Sequence, residues 1–111
     1  MITLTNLTAS YDGIPASQGL GLIRIDFTGV TQLKLDVRVN KIGSGTQSWQ
    51  LWNDTDSTQV GVIDDAGATG IKVLSATFNV ALSGEKILRV RAKSTVAADD
   101  PVFFGSSILV K

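Results

Sequence analysis

The residues that could hold a metal ion are aspartates in one polar segment of the chain. Asp54, Asp56 and Asp65 occupy positions one, three and twelve of a stretch with roughly the spacing of a calcium-binding loop. The sixth position is Gln59, where such a loop needs glycine, and aspartate at the last position lacks the reach of glutamate. Because aspartate is also a common turn former, the sequence predicts ordinary turns here and no bound metal or cofactor.

Two further carboxylates lie on predicted strands, and most glycoside hydrolases use a pair of carboxyl groups as catalytic residues. Asp26 and Asp36 are flanked by the cations Arg24, Lys34 and Arg38. Such neighbours lower the pKa of a carboxyl group, which is the wrong direction for a general acid. The chain also contains no histidine and no cysteine, which removes the usual general base, the thiolate nucleophile and the usual zinc ligands. We therefore expect a protein that is not an enzyme.

Three cations, Arg89, Arg91 and Lys93, alternate along one face of another predicted strand. They could hold an anion, but residues in this pattern more often pair with acids on neighbouring strands. We expect pairs with acids such as Asp26 and Asp36.

Aromatic residues offer a possible carbohydrate site. Trp49 is in phase with Leu51, which predicts a core position, whereas Trp52 is out of phase and precedes the polar Asn53. An exposed tryptophan or tyrosine can stack on a sugar ring. Of Trp49, Trp52 and Tyr11, only Trp52 combines expected exposure with polar neighbours, so Trp52 alone is the candidate.

Charge and hydropathy exclude several classes of partner. Ten basic and ten acidic residues give a net charge of zero, which lacks the basic field of a nucleic-acid binder. No apolar run is long enough to cross a membrane, and the N-terminus lacks the pattern of a signal peptide. We expect a protein that is made in the cytoplasm, is not secreted, and binds neither nucleic acid nor membrane.

Apolar and polar residues alternate through most of the chain, most regularly from Val30 to Ile42. Period-two alternation is typical of half-buried strands. Turn residues such as Gly43-Ser44-Gly45 and Ser83-Gly84 separate the runs. The sequence predicts one domain over residues 1–111: an all-β antiparallel β-sandwich, jelly-roll-like, with about seven or eight strands. The predicted core comprises Leu35, Val37, Phe78, Val80, Leu88, Val90 and Phe104.

Some large apolar residues fall in the opposite phase to the core residues of their own strands. They are Leu22, Trp52, Phe103 and Leu109. Either a bulge or a loop of the same chain covers them, or a partner subunit does. We expect these four residues to form a subunit or ligand interface.

Two stretches of the chain resemble a small β-sandwich module of tailed-bacteriophage structural proteins. They run over residues 24–62 and 76–111 and leave residues 1–21 outside the resemblance. The shared pattern is one of turns and alternation: Thr28-Gly29-Val30-Thr31-Gln32 before a long strand, Asn53-Asp54-Thr55 at a turn, and Ser83-Gly84-Glu85-Lys86 before a strand of alternating arginines.

The resemblance implies a virion component, namely a capsid decoration, fibre or tail accessory domain. It implies a homo-oligomer, with a trimer favoured, that docks on a capsid or tail protein, and it supplies no catalytic residues. The alternative is a carbohydrate-binding module or lectin-like adhesin centred on Trp52, and a virion protein could also bind a host-surface glycan.

Overall fold

The computed structural model describes residues 2–3, 11–13, 22–96 and 101–111, and all regular structure within them is β-strand. The strands are β1 (Ile2–Thr3), β2 (Asp12–Gly13), β3 (Leu22–Asp26), β4 (Gln32–Lys41), β5 (Gln47–Asn53), β6 (Thr58–Asp65), β7 (Gly70–Asn79), β8 (Glu85–Ser94) and β9 (Val102–Val110). No helix in this part of the chain is long and apolar enough to cross a membrane.

The strands form two antiparallel sheets that pack face to face. Sheet I has the order β1-β9-β4-β7, and in sheet II β2 and β3 both pair with β8, followed by β5 and β6. Consecutive strands lie in different sheets at β1/β2, β3/β4, β4/β5, β6/β7, β7/β8 and β8/β9. This is the strand order of a jelly roll, so the predicted all-β sandwich and its jelly-roll character are confirmed.

The core lies between the sheets and is built by the alternation that the sequence displays. Its fully buried apolar residues are Phe27, Leu33, Leu35, Val37, Val39, Trp49, Leu51, Leu88, Val90, Ala92 and Phe103. Four predicted core residues, Leu35, Val37, Leu88 and Val90, are therefore confirmed, as is the core position of Trp49. Phe78 and Val80 are partly buried and pack against the same cluster.

The predicted register of β9 is wrong at its two phenylalanines. Arg38 of β4 pairs with Gly105 and the next residue, Val39, pairs with Phe103, so Phe104 is the extra residue of a β-bulge. The bulge reverses the phase of the strand. Phe103 is consequently buried in the core, where its ring stacks on Trp49 with 5.8 Å between centroids. Phe104 is half-buried instead of lying in the core as predicted.

Candidate functional site

The candidate metal-binding aspartates of the polar segment each form an ion pair with a different cation. The Asp54 carboxylate lies 2.8 Å from the guanidinium of Arg89, and the Asp56 carboxylate lies 2.8 Å from the ammonium of Lys86. The hydrogen bonds that Lys86 and then Asn53 donate lower the pKa of Asp56 from its ordinary value. These side chains therefore stabilise the turn between β5 and β6.

Asp65 lies apart from that turn, at one end of the core. Its Oδ1 accepts hydrogen bonds from Lys72 at 3.0 Å and from the backbone N–H of Gly67 at 3.2 Å. Across the described ranges, no three acidic side chains converge on a point that could hold a metal ion. Two further aspartates of the sequence, Asp99 and Asp100, lie outside the described residues.

The two strand-borne carboxylates belong to different sheets. Asp26 is on β3 of sheet II and accepts a hydrogen bond from the backbone N–H of Thr28 at 3.0 Å, which lowers the pKa of Asp26. Asp36 is on β4 of sheet I and accepts a hydrogen bond from the hydroxyl of Ser75. The fold does not bring them together as a catalytic pair.

The outer face of sheet I carries exposed aliphatic side chains. This outer face is formed by the residues of β4, β7 and β9 that alternate with the core residues of the same strands. Ile71 is 66% exposed, Val73 60% and Leu109 67%. Leu109 is among the residues predicted to face outward. Ile71 and Val73 are not, although their phase, opposite to that of Leu74, was a usable signal.

A shallow groove crosses this outer face beside the β9 bulge. It encloses about 320 Å³ and includes Val73, Phe104 and Gly105 among its lining residues. Asp36 and Arg38 of β4 also line it. The groove is therefore partly apolar and contains one charge of each sign.

The outer face of sheet II carries a cluster of cations and aromatic rings, defined by Tyr11, Trp52, Arg91 and Lys93. The Arg91 guanidinium lies 4.7 Å from the centroid of the Trp52 ring, and the Lys93 ammonium lies 4.6 Å from that of Tyr11. Arg91 also lies 5.9 Å from the Tyr11 centroid and donates a hydrogen bond to its backbone carbonyl at 3.2 Å. Both cations are thus held over aromatic faces.

Polar side chains beside this cluster are paired with one another. Gln50 donates to Gln59 at 2.9 Å, and Ser48 donates to Asp64 at 2.6 Å. Tyr11 is hydrogen-bonded to Ser48, and partial burial, followed by the nearby Asp64 carboxylate, raises the pKa of Tyr11. The phenol therefore stays protonated at neutral pH.

The expectation that the three β8 cations pair with acids such as Asp26 and Asp36 holds only for Arg89, and with a different acid. Arg89 pairs with Asp54, and among the described residues neither Arg91 nor Lys93 has a carboxylate within ion-pair distance. The aromatic rings that cover them lie far away in sequence or on another strand, so the sequence pattern gave no sign of these contacts.

The four predicted interface residues do not share one surface. Leu22, 45% exposed, and the half-buried Trp52 face outward from sheet II, whereas Leu109 faces outward from sheet I. Phe103 is excluded because it is fully buried. No protein-family model matches the chain, and no curated protein matches its sequence.

Proposed function

We propose that this chain is a non-catalytic structural protein of a virion, acting as a capsid decoration, fibre or tail accessory, and that it self-associates through the outer face of sheet I. The observation that carries the proposal is the exposure of Ile71, Val73 and Leu109 on one sheet face. Burying a side chain of this size contributes about 1.5–3 kcal/mol. A contact between copies would remove this surface from water.

A second copy of the chain is the occupant that suits the charges on this face. Asp36 and Arg38 are next-but-one residues on β4 and point to the same side. If two copies pack face to face about a twofold axis passing between these residues, Arg38 of each lies opposite Asp36 of the other. The zero net charge removes long-range repulsion between copies. Such a contact gives a dimer, whereas the phage resemblance favours a trimer, and subunit number distinguishes the two arrangements.

The virion assignment is supported by the resemblance and, by analogy, by the fold. Jelly rolls occur in viral capsid and lectin domains, although fold alone does not specify function. In this proposal the protein is made in the cytoplasm of a host cell, is not secreted, and docks on a capsid or tail protein.

Sedimentation equilibrium of a matched pair of variants tests the contact. Val73→Asp places a carboxylate on the proposed interface, directly opposite Arg38 of the same chain. It should give folded monomers, because it replaces an apolar contact with a charge that is costly to bury and competes with Asp36 of the second copy for Arg38. Val96→Asp makes the same change at a valine that is exposed but lies outside this face, and it should leave the subunit number unchanged. A wild-type protein that is monomeric at high concentration, or a Val73→Asp variant that keeps the wild-type subunit number, would contradict the proposal.

A further inference from the structure

Two cations on the outer face of sheet II lack an acidic partner within the described ranges. Arg91 and Lys93 are half-buried, project from the same side of β8, and rest on the rings of Trp52 and Tyr11. The other two cations of β8 each lie within ion-pair distance of a carboxylate: Lys86 pairs with Asp56, and Arg89 pairs with Asp54. The nearby Asp64 carboxylate accepts a hydrogen bond from Ser48 and forms no ion pair with either cation. Two cations with no directly paired carboxylate can accept an anion.

We propose that this face binds an acidic glycan, a sugar chain carrying carboxylate groups. Lys93 and Arg91 would bind carboxylates through charge-assisted hydrogen bonds. The rings of Tyr11 and Trp52 would pack against the apolar faces of the sugars. This binding site would give the chain a second function besides self-association. It does not depend on the contact proposed for sheet I, because it lies on the opposite side of the sandwich.

A small cavity beside Lys93 suits a carboxylate group. It encloses about 100 Å³, and the residues that line it are Thr46, Ser48, Lys93, Ser94 and Thr95. Lys93 contributes an ammonium group, and Thr46 and Thr95 contribute hydroxyl donors. The Ser48 and Ser94 hydroxyls already donate to Asp64 and to the Val96 carbonyl. Hydroxyl and ammonium donors are the groups that a carboxylate accepts hydrogen bonds from.

An unpaired acceptor on the same face suits a ligand that also carries hydroxyl groups. Gln50 is only 5% exposed, and its Oε1 has no hydrogen-bond partner. Gln50 lies directly opposite Arg91 across the β5–β8 pairing, and Arg91 leans over Trp52. If Arg91 swings toward a carboxylate, it uncovers the Trp52 ring beside this acceptor. A sugar hydroxyl can donate to Gln50 Oε1, whereas an ionised phosphate diester or sulfate ester group cannot.

Isothermal titration calorimetry with tetragalacturonate and its fully methyl-esterified form tests the proposal. The two probes have the same sugar rings but differ in charge. The wild-type protein should bind the acid and bind the ester much more weakly. Lys93→Met and Arg91→Met should each weaken binding about tenfold, as expected for loss of one charge-assisted hydrogen bond. Lys34→Met, which removes one positive charge from sheet I, should bind like the wild type.

Each alternative result overturns the acidic-glycan site. These results are absence of binding to tetragalacturonate, equal binding of acid and ester, or an equal loss in Lys34→Met. Equal affinity for inorganic polyphosphate would indicate attraction by charge alone and would also overturn it. Circular dichroism verifies that the variants fold. Because Val73→Asp leaves sheet II untouched, its affinity per chain should equal that of the wild type, and this separates failure of the glycan site from failure of the proposed oligomer.

Discussion

Consecutive phenylalanines in β9 have opposite environments. Phe103 is fully buried against Trp49, whereas Phe104 is half-buried at the groove on the outer face of sheet I. Phe103→Ala should therefore lower the free energy of unfolding by about 3–5 kcal/mol, through lost transfer energy and a cavity. Phe104→Ala should cost about 1 kcal/mol. Urea denaturation of the two variants measures the difference, and similar losses for both would place the bulge elsewhere in the strand.

The cations of β8 show how far residue types alone can specify contacts. The sequence predicts that Arg89, Arg91 and Lys93 share one face, and they do. It does not predict their partners, because Arg91 reaches the ring of Trp52 diagonally across the sheet and Lys93 reaches Tyr11, about eighty residues earlier. An aromatic ring competes with a carboxylate for an arginine at comparable energy, so position in the folded sheet decides the partner.

At the scale of elements, alternation was sufficient for β4 and β8 but not for β9. In β4 the apolar residues from Leu33 to Val39 are all buried, as period two predicts. In β9 an extra residue at Phe104 breaks the period, and Gly105 adopts a φ of 152°. Either phenylalanine could have filled the core. The choice depends on the space beside Trp49, which belongs to the other sheet, so the sequence of β9 alone could not specify it.

Strands β6 and β7 approach each other closely where the sheets meet. The Phe78 ring packs on Gly61, and a Cβ added at Gly61 would lie 2.5 Å from the ring Cδ1 and Cζ atoms. Gly61→Ala should therefore destabilise the protein by about 1–3 kcal/mol through overpacking. Combining it with Phe78→Leu should cost less than the sum of the two single changes, because they share this contact.

A second glycine provides the control for that measurement. A Cβ at Gly67 would meet only the Lys72 ammonium at 3.4 Å and an Asp65 oxygen at 3.5 Å. Gly67→Ala should change the free energy of unfolding by no more than about 0.5 kcal/mol. Strict additivity of Gly61→Ala and Phe78→Leu in thermal or urea denaturation would show that the close packing of β6 on β7 is absent.

At the scale of the whole molecule, the jelly-roll order sets the two proposed surfaces back to back. Sheet I exposes aliphatic residues and sheet II exposes cations on aromatic rings, with the core between them. The sequence predicted outward apolar residues but grouped Leu22 and Trp52 with Leu109. Alternation assigns a residue to a face of its strand, but only the crossovers between sheets determine which strands lie side by side. Which strands are neighbours is therefore a property of the tertiary structure and cannot be deduced from alternation within one strand.

The concentration-dependent protection of a single cysteine tests the self-association most directly. The chain contains no native cysteine, so Val73→Cys introduces one thiol on the outer face of sheet I, and Val96→Cys introduces one outside it. If copies associate through this face, the thiol at position 73 should react more slowly with iodoacetamide in concentrated than in dilute protein, while that at position 96 reacts equally in both. Equal reactivity of the thiol at position 73 at both concentrations, with sedimentation showing an oligomer in the concentrated sample, would contradict the assignment of this face as the contact.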